Sequence, residues 1–137
     1  MLDVIVWNIL IKDDRIFLLK KLYEDDIEYT LVGGHVEVGE SVKSTAIRET
    51  LEEVGVKLKE EDLEFVSILD RKRESGEHKI HFFFKSSNWQ GNPYNKEADK
   101  HLSGDWFVMG ELPTELCAIA SMAVNALNND QIYLEYP

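Results

Sequence analysis

The stretch GHVEVGESVKSTAIRETLEEVGV, Gly34 to Val56, decides the fold of this chain. Its centre is Arg48-Glu49-Thr50-Leu51-Glu52-Glu53. A helix over this segment places Glu49, Glu52 and Glu53 at i, i+3 and i+4, on one face. Three close anions repel one another unless a cation fills the space between them. An all-oxygen ligand set suits a hard ion such as Mg²⁺ or Mn²⁺. A solvated acidic face is the bland alternative. Ala46, Ile47, Leu51 and Val54 form an apolar stripe on the other side. That stripe is expected to pack, leaving Glu52 and Glu53 displayed. Gly33-Gly34 precedes the helix and Gly39-Glu40 stands at its start. Gly55, followed by apolar Val56, sits where a left-handed C-terminal cap is wanted.

Outward from this helix the pattern alternates between strands and turns. Leu2 to Ile11 is nearly all apolar, as expected of a strand buried on both faces. Lys12-Asp13-Asp14 reads as a turn and Arg15 to Lys21 as the returning strand. Tyr23 to Glu28 reads as a polar connection, and Tyr29 to Val32 as a short strand running into the glycine pair. Beyond the helix, Leu63 to Arg71 and Lys79 to Lys85 are expected strands around a charged turn at Gly76. Asn88 to Gly104 is a long loop, and such loops in compact domains are usually functional. Asp105 to Met109 is a strand. Pro113 opens a second helix, with Leu116, Ile119, Ala120, Ala123 and Leu127 on its packing face. Ile132 to Tyr136 is an extended tail. This order suggests an α/β fold with a mixed sheet between helices.

Length and composition place the whole chain, residues 1–137, as one domain with a real core: 44% of residues are apolar and 30% charged, a globular balance. No apolar run approaches a membrane span, and the N-terminus lacks the order of a signal peptide. Cys117 is the single cysteine, so no intramolecular disulfide forms, and a reducing cytoplasm is the expected setting. The net charge of −11 speaks against nonspecific nucleic-acid binding. It leaves a phosphorylated substrate open, because a bound metal reverses the local field. Monomer and homodimer are both compatible with the sequence.

The central stretch resembles the Nudix box: Gly, five residues, Glu, seven residues, Arg-Glu, an apolar residue, any residue, Glu-Glu, any residue, Gly, an apolar residue. Gly34, Glu40, Arg48, Glu49, Leu51 to Glu53, Gly55 and Val56 fit it; Thr50 departs, standing where an aliphatic residue is usual. Val32 stands where many relatives have Pro. The resemblance implies an α/β/α sandwich and a metal-dependent hydrolase of diphosphate linkages, with Mg²⁺ or Mn²⁺ as cofactor. Trp106 and Glu111-Leu112-Pro113 resemble further landmarks of the family. By the same resemblance, Glu49, Glu52 and Glu53 look like the metal ligands, with the carbonyl of Gly34 as a fourth. Arg48 looks like the residue that orients a box carboxylate, with Glu40 its usual partner; Glu37 is either loop decoration or an outer ligand. One more carboxylate comes from the loop before the Trp strand. Glu97 matches best, with Asp99 and Glu111 as rivals and a solvated loop charge as the alternative.

Several other residues stay open. Lys20 or Lys21 could meet a phosphate or be solvated. His35, His78, His81 and His101 show no metal-ligand spacing. His101 could face the site, although a surface position is expected. Trp7 reads as core; Trp89 reads equally as core or as a base-stacking residue. Which of Glu49, Glu52 and Glu97 is the general base is undecided. ADP-ribose enzymes of the family often carry Pro about sixteen residues past the box, and dinucleoside polyphosphate enzymes a Tyr at a similar distance. Arg71-Lys72-Arg73-Glu74 offers neither, and the upstream signature of coenzyme A diphosphatases has no counterpart before Gly33. The remaining expectation is the compact group that cleaves a (d)NTP or modified (d)NTP to monophosphate and pyrophosphate. An ADP-ribose or nucleotide-sugar diphosphatase, or an inactive binding module of the same shape, are the alternatives.

Overall fold

The computed structural model describes residues 2–137. Strands β1 (Asp3–Lys12) and β2 (Arg15–Tyr23) form a hairpin across Asp13-Asp14, both left-handed. β3 (Asp26–Thr30) and β4 (Val32–His35) lead into helix α1 (Val42–Val54). β5 (Glu64–Lys72), β6 (His78–Ser86) and β7 (Ser103–Val108) follow, then helix α2 (Ala118–Asn129) and β8 (Tyr133–Glu135). The eight strands make one mixed sheet in the order β3-β2-β1-β6-β5-β8, with β4 also on β1 and β7 also on β2. β1–β6 and β5–β8 run parallel; the other pairs are antiparallel. No helix among the described residues is long and apolar enough to cross a membrane.

The α/β/α sandwich follows from strands that are apolar on both faces. Val6, Leu10, Phe17 and Leu19 pack with Ala46 and Val54 of α1. Their neighbours Ile9, Ile16 and Leu18 pack with Ala120, Ala123 and Val124 of α2. A period of two on the strands thus feeds two cores.

Three local expectations need correction. The connection at 23–28 is a two-residue turn, Glu24-Asp25, both at positive φ, and the chain re-enters the sheet as β3. The second helix starts at Ala118 rather than at Pro113. Its anticipated first turn is captured by the sheet edge: Tyr29 N donates to Glu115 O at 3.0 Å and Cys117 N to Tyr29 O at 2.9 Å. A strand edge satisfies those backbone groups as well as a helical turn would. Finally, Leu51 is exposed, and α1 buries Thr45, Ala46, Thr50, Glu53 and Val54 instead. Thr50 tolerates the core because its hydroxyl accepts from Asn8 Nδ2 at 3.3 Å, and Asn8 Oδ1 accepts from Ser86 at 3.2 Å.

Candidate active site

Helix α1 is fixed at both ends. Ser41 accepts from Ser44 N at 3.0 Å while Ser44 Oγ accepts from Ser41 N at 2.9 Å, a reciprocal cap. Gly55 closes the other end in the left-handed region, φ 73°, with its N–H on Leu51 O. The paired glycines of β4 let the helix face approach the sheet. A Cβ on Gly33 would fall on the Val6 carbonyl, and one on Gly34 would fall on the Glu49 carboxylate.

Arg48 organises the exposed part of this face. It forks onto Glu40 at 2.7 and 3.0 Å, and also reaches Glu49 at 2.7 Å, Glu52 at 3.3 Å and the His35 carbonyl at 3.1 Å. Glu37 lies 3.8 Å away and is largely exposed. The guanidinium holds the Glu40 carboxyl down at about 2, so this pairing persists into acid. Glu49 is raised by burial, opposed by Arg48 and reinforced by Glu52 and Glu97.

Glu53 departs from the expected displayed position. Its residue exposure is 8%, and Gly33 N donates to its Oε1 at 2.7 Å. Burial pushes its pKa up to about 8; the Gly33 bond works against this, and the charges of Glu49 and Glu97 add to it. The i, i+4 geometry does put Glu49 and Glu53 on one side. The loop after β6 then covers the end of that side.

That loop is anchored on the carbonyls α1 leaves free at its C-terminus. Tyr94 N donates to Val54 O at 3.1 Å and Lys96 N to Glu53 O at 3.0 Å, while Lys57 and Gln90 exchange two bonds at 3.0 Å. Glu97 is thereby delivered to Glu53, with Lys100 beside it at 3.3 Å. Asp99 and Glu111 are exposed and stand outside this cluster. His101, expected at the surface, is buried, with Nε2 at 3.7 Å from Glu53. A single turn brings it there: His101 N donates to Glu97 O at 3.0 Å. The i, i+4 spacing of Glu97 and His101 was the signal in the sequence. Burial lowers the His101 pKa, the nearby Glu97 charge opposing.

The side chains of the remaining candidates are engaged with other partners. Lys21 pairs with Glu28 at 3.6 Å, and Lys20 sits over the Tyr29 ring. Trp89 stacks on Trp106 beside the α1 core. Trp7 donates to His81 Nδ1 at 2.9 Å on the α2 side. His35 and His78 face Asp3 and Asp70.

The arrangement fits a divalent cation. Glu40, Glu49 and Glu52 share Arg48, but Glu53 is buried with a neutral donor and, among the described residues, no Lys or Arg in ion-pair range. Such a carboxylate needs either a proton or a metal ion. Carboxylate oxygens from Glu53, Glu97 and a ring nitrogen of His101 lie within 4.8 Å of one another.

Known proteins share this architecture. The NUDIX domain profile matches residues 1–124. A MutT NUDIX hydrolase from Burkholderia pseudomallei superposes with a TM-score of 0.82 at 26% identity, over 93% of this chain and 98% of that one. A MutT protein from Bacillus halodurans gives 0.78 at 22% identity, over 98% and 90%. A structure described as an ADP compounds hydrolase gives 0.77 at 20% identity, over 93% and 71%. No curated protein matches. The chain belongs to the Nudix family, as a pyrophosphohydrolase acting on phosphoric anhydrides. Enzymes of this family act on small-molecule nucleotide substrates and need a divalent metal.

Proposed function

We propose that the chain, acting as one domain over residues 1–137, hydrolyses a (d)NTP or modified (d)NTP to monophosphate and pyrophosphate. The observation that supports this most is the junction of Glu49 and Glu53 on α1 with Glu97 from the long loop, over the Gly33-Gly34 approach. Glu49, Glu52, Glu53, Glu97 and the Gly34 carbonyl would hold Mg²⁺ or Mn²⁺. A bound ion supplies positive charge against the substrate phosphates and acidifies water. Arg48 keeps Glu49 and Glu52 oriented through Glu40. Gly34 leaves space for the Glu49 carboxylate. Water adds to phosphorus as the bridging P–O bond breaks; its proton goes to a carboxylate, with Glu49, Glu52 and Glu97 the candidates.

The triphosphate assignment rests on the absence of the ADP-ribose, dinucleoside polyphosphate and coenzyme A signatures. An inactive binding module is disfavoured because every box glutamate is present. A hydrolysis screen with Mg²⁺ and Mn²⁺ tests the reading across triphosphates, ADP-ribose, dinucleoside polyphosphates and nucleotide sugars. Pyrophosphate release from at least one (d)NTP or modified (d)NTP is expected. Robust ADP-ribose cleavage without pyrophosphate from any triphosphate would replace the substrate class and leave the hydrolase standing.

A further inference from the structure

We propose that His101 is a nitrogen ligand of the divalent ion held by Glu53 and Glu97, and that it tilts the site toward Mn²⁺ over Mg²⁺. The inference rests on the metal-dependent reading above and adds a donor that the box motif does not contain.

Two independent observations meet here. The first is the cluster itself, three potential ligand atoms within 4.8 Å. An ion about 2.1 Å from each donor spans about 4.2 Å between opposite ligands. Only one pair of three octahedral donors can be opposite and adjacent ones stand about 3 Å apart, so binding draws the three atoms inward around the ion. The second is the state of the imidazole. His101 is 8% exposed. Its Nδ1 is buried with no hydrogen-bond partner, and its Nε2 is 3.7 Å from the Glu53 oxygen, too far for a hydrogen bond. Nε2, the ring nitrogen facing Glu53, makes no hydrogen bond, and with the proton on the enclosed Nδ1 its lone pair is open to an ion.

The ring is also held in place. The His101 carbonyl accepts from Asn95 Nδ2 at 2.7 Å, and its N–H donates to Glu97. Backbone and side chain thus fix the segment that presents the ring to Glu53. The donor set is then two carboxylates and one imidazole. Mn²⁺ also favours oxygen, but as a first-row transition ion it accepts an imidazole more readily than Mg²⁺, which prefers oxygen throughout.

The test uses the full chain and Mn²⁺ alone. Pulsed EPR on the Mn²⁺-loaded wild type reads nitrogen coupling directly. Calorimetry gives Mn²⁺ and Mg²⁺ affinities for wild type, His101→Gln and Glu53→Gln. Nitrogen coupling is expected in the wild type and absent from His101→Gln. That variant should lose about tenfold or more in Mn²⁺ affinity and under about threefold in Mg²⁺ affinity. Mn²⁺ binding that Glu53→Gln abolishes, with no nitrogen coupling in the wild type, overturns the His101 role and leaves the metal site intact. Mn²⁺ binding undiminished in Glu53→Gln places the ion elsewhere and overturns both. The wild-type spectrum decides the question even where His101→Gln fails to fold.

Discussion

Glu53 carries the sharpest conflict in the molecule, a carboxylate buried beside two others. Its folded pKa of about 8 lies above the ordinary 4.5. Between these values the folded metal-free chain binds more protons than the unfolded one. The favourable contribution is therefore complete below about 4.5 and lost as pH rises through about 8. At about 1.4 kcal/mol per pH unit the ceiling is about 5 kcal/mol. Glu53→Gln is expected to melt higher than wild type in chelator at about pH 9, with the gap closing toward about pH 5. A gap independent of pH would mean that Glu53 is not the titrating group. Arg48 acts differently, by geometry. Lysine has no fork to hold Glu40 and Glu49 together. Arg48→Lys should lower kcat/KM by about tenfold or more, and an unchanged kcat/KM would remove its positioning role.

The C-terminus of α1 is where helix and loop depend on each other. Gly55 has φ 73°, and an added Cβ would lie 2.6 Å from the Tyr94 ring. Gly76 has φ 89° with open space around it. Both alanine variants incur backbone strain of about 1–2 kcal/mol. Only Gly55→Ala also pushes on the loop that carries Glu97 and His101. Urea titrations should show both variants destabilised, with Gly55→Ala alone losing Mn²⁺ affinity by calorimetry. Equal affinities in the two would mean that the loop is held independently of the helix end.

Across the whole molecule the net charge is −11, and part of it is concentrated in the α1 cluster. An ion that binds only the folded state stabilises it by about 2.7 kcal/mol at a hundred times its Kd. Mg²⁺ or Mn²⁺ should therefore raise Tm. Glu52→Gln/Glu53→Gln should lose that response and melt above wild type without metal. The same metal-induced shift in both proteins would put the ion outside the cluster.

The amino-acid sequence by itself determined the elements whose causes are local. Gly55 announces the C-terminal cap of a helix, Asp13-Asp14 a tight turn, and the doubly apolar β1 a central strand. The Nudix box, read residue by residue, carried the family and the hydrolase class. Tertiary structure alone decided which groups are dry. Glu52 and Glu53 are adjacent and chemically identical, yet one side chain is half exposed and the other buried, because the 88–102 loop donates to α1's free carbonyls and covers Glu53. The same docking brings Glu97 to the cluster rather than Asp99 or Glu111, and turns His101 inward. At the other helix, the edge of β3 pairs with the Glu115 carbonyl and the Cys117 N–H, and α2 begins only beyond them. Periodicity records which residues share a face. What covers that face depends on segments distant in the chain, whose backbone groups pair wherever partners are left unsatisfied.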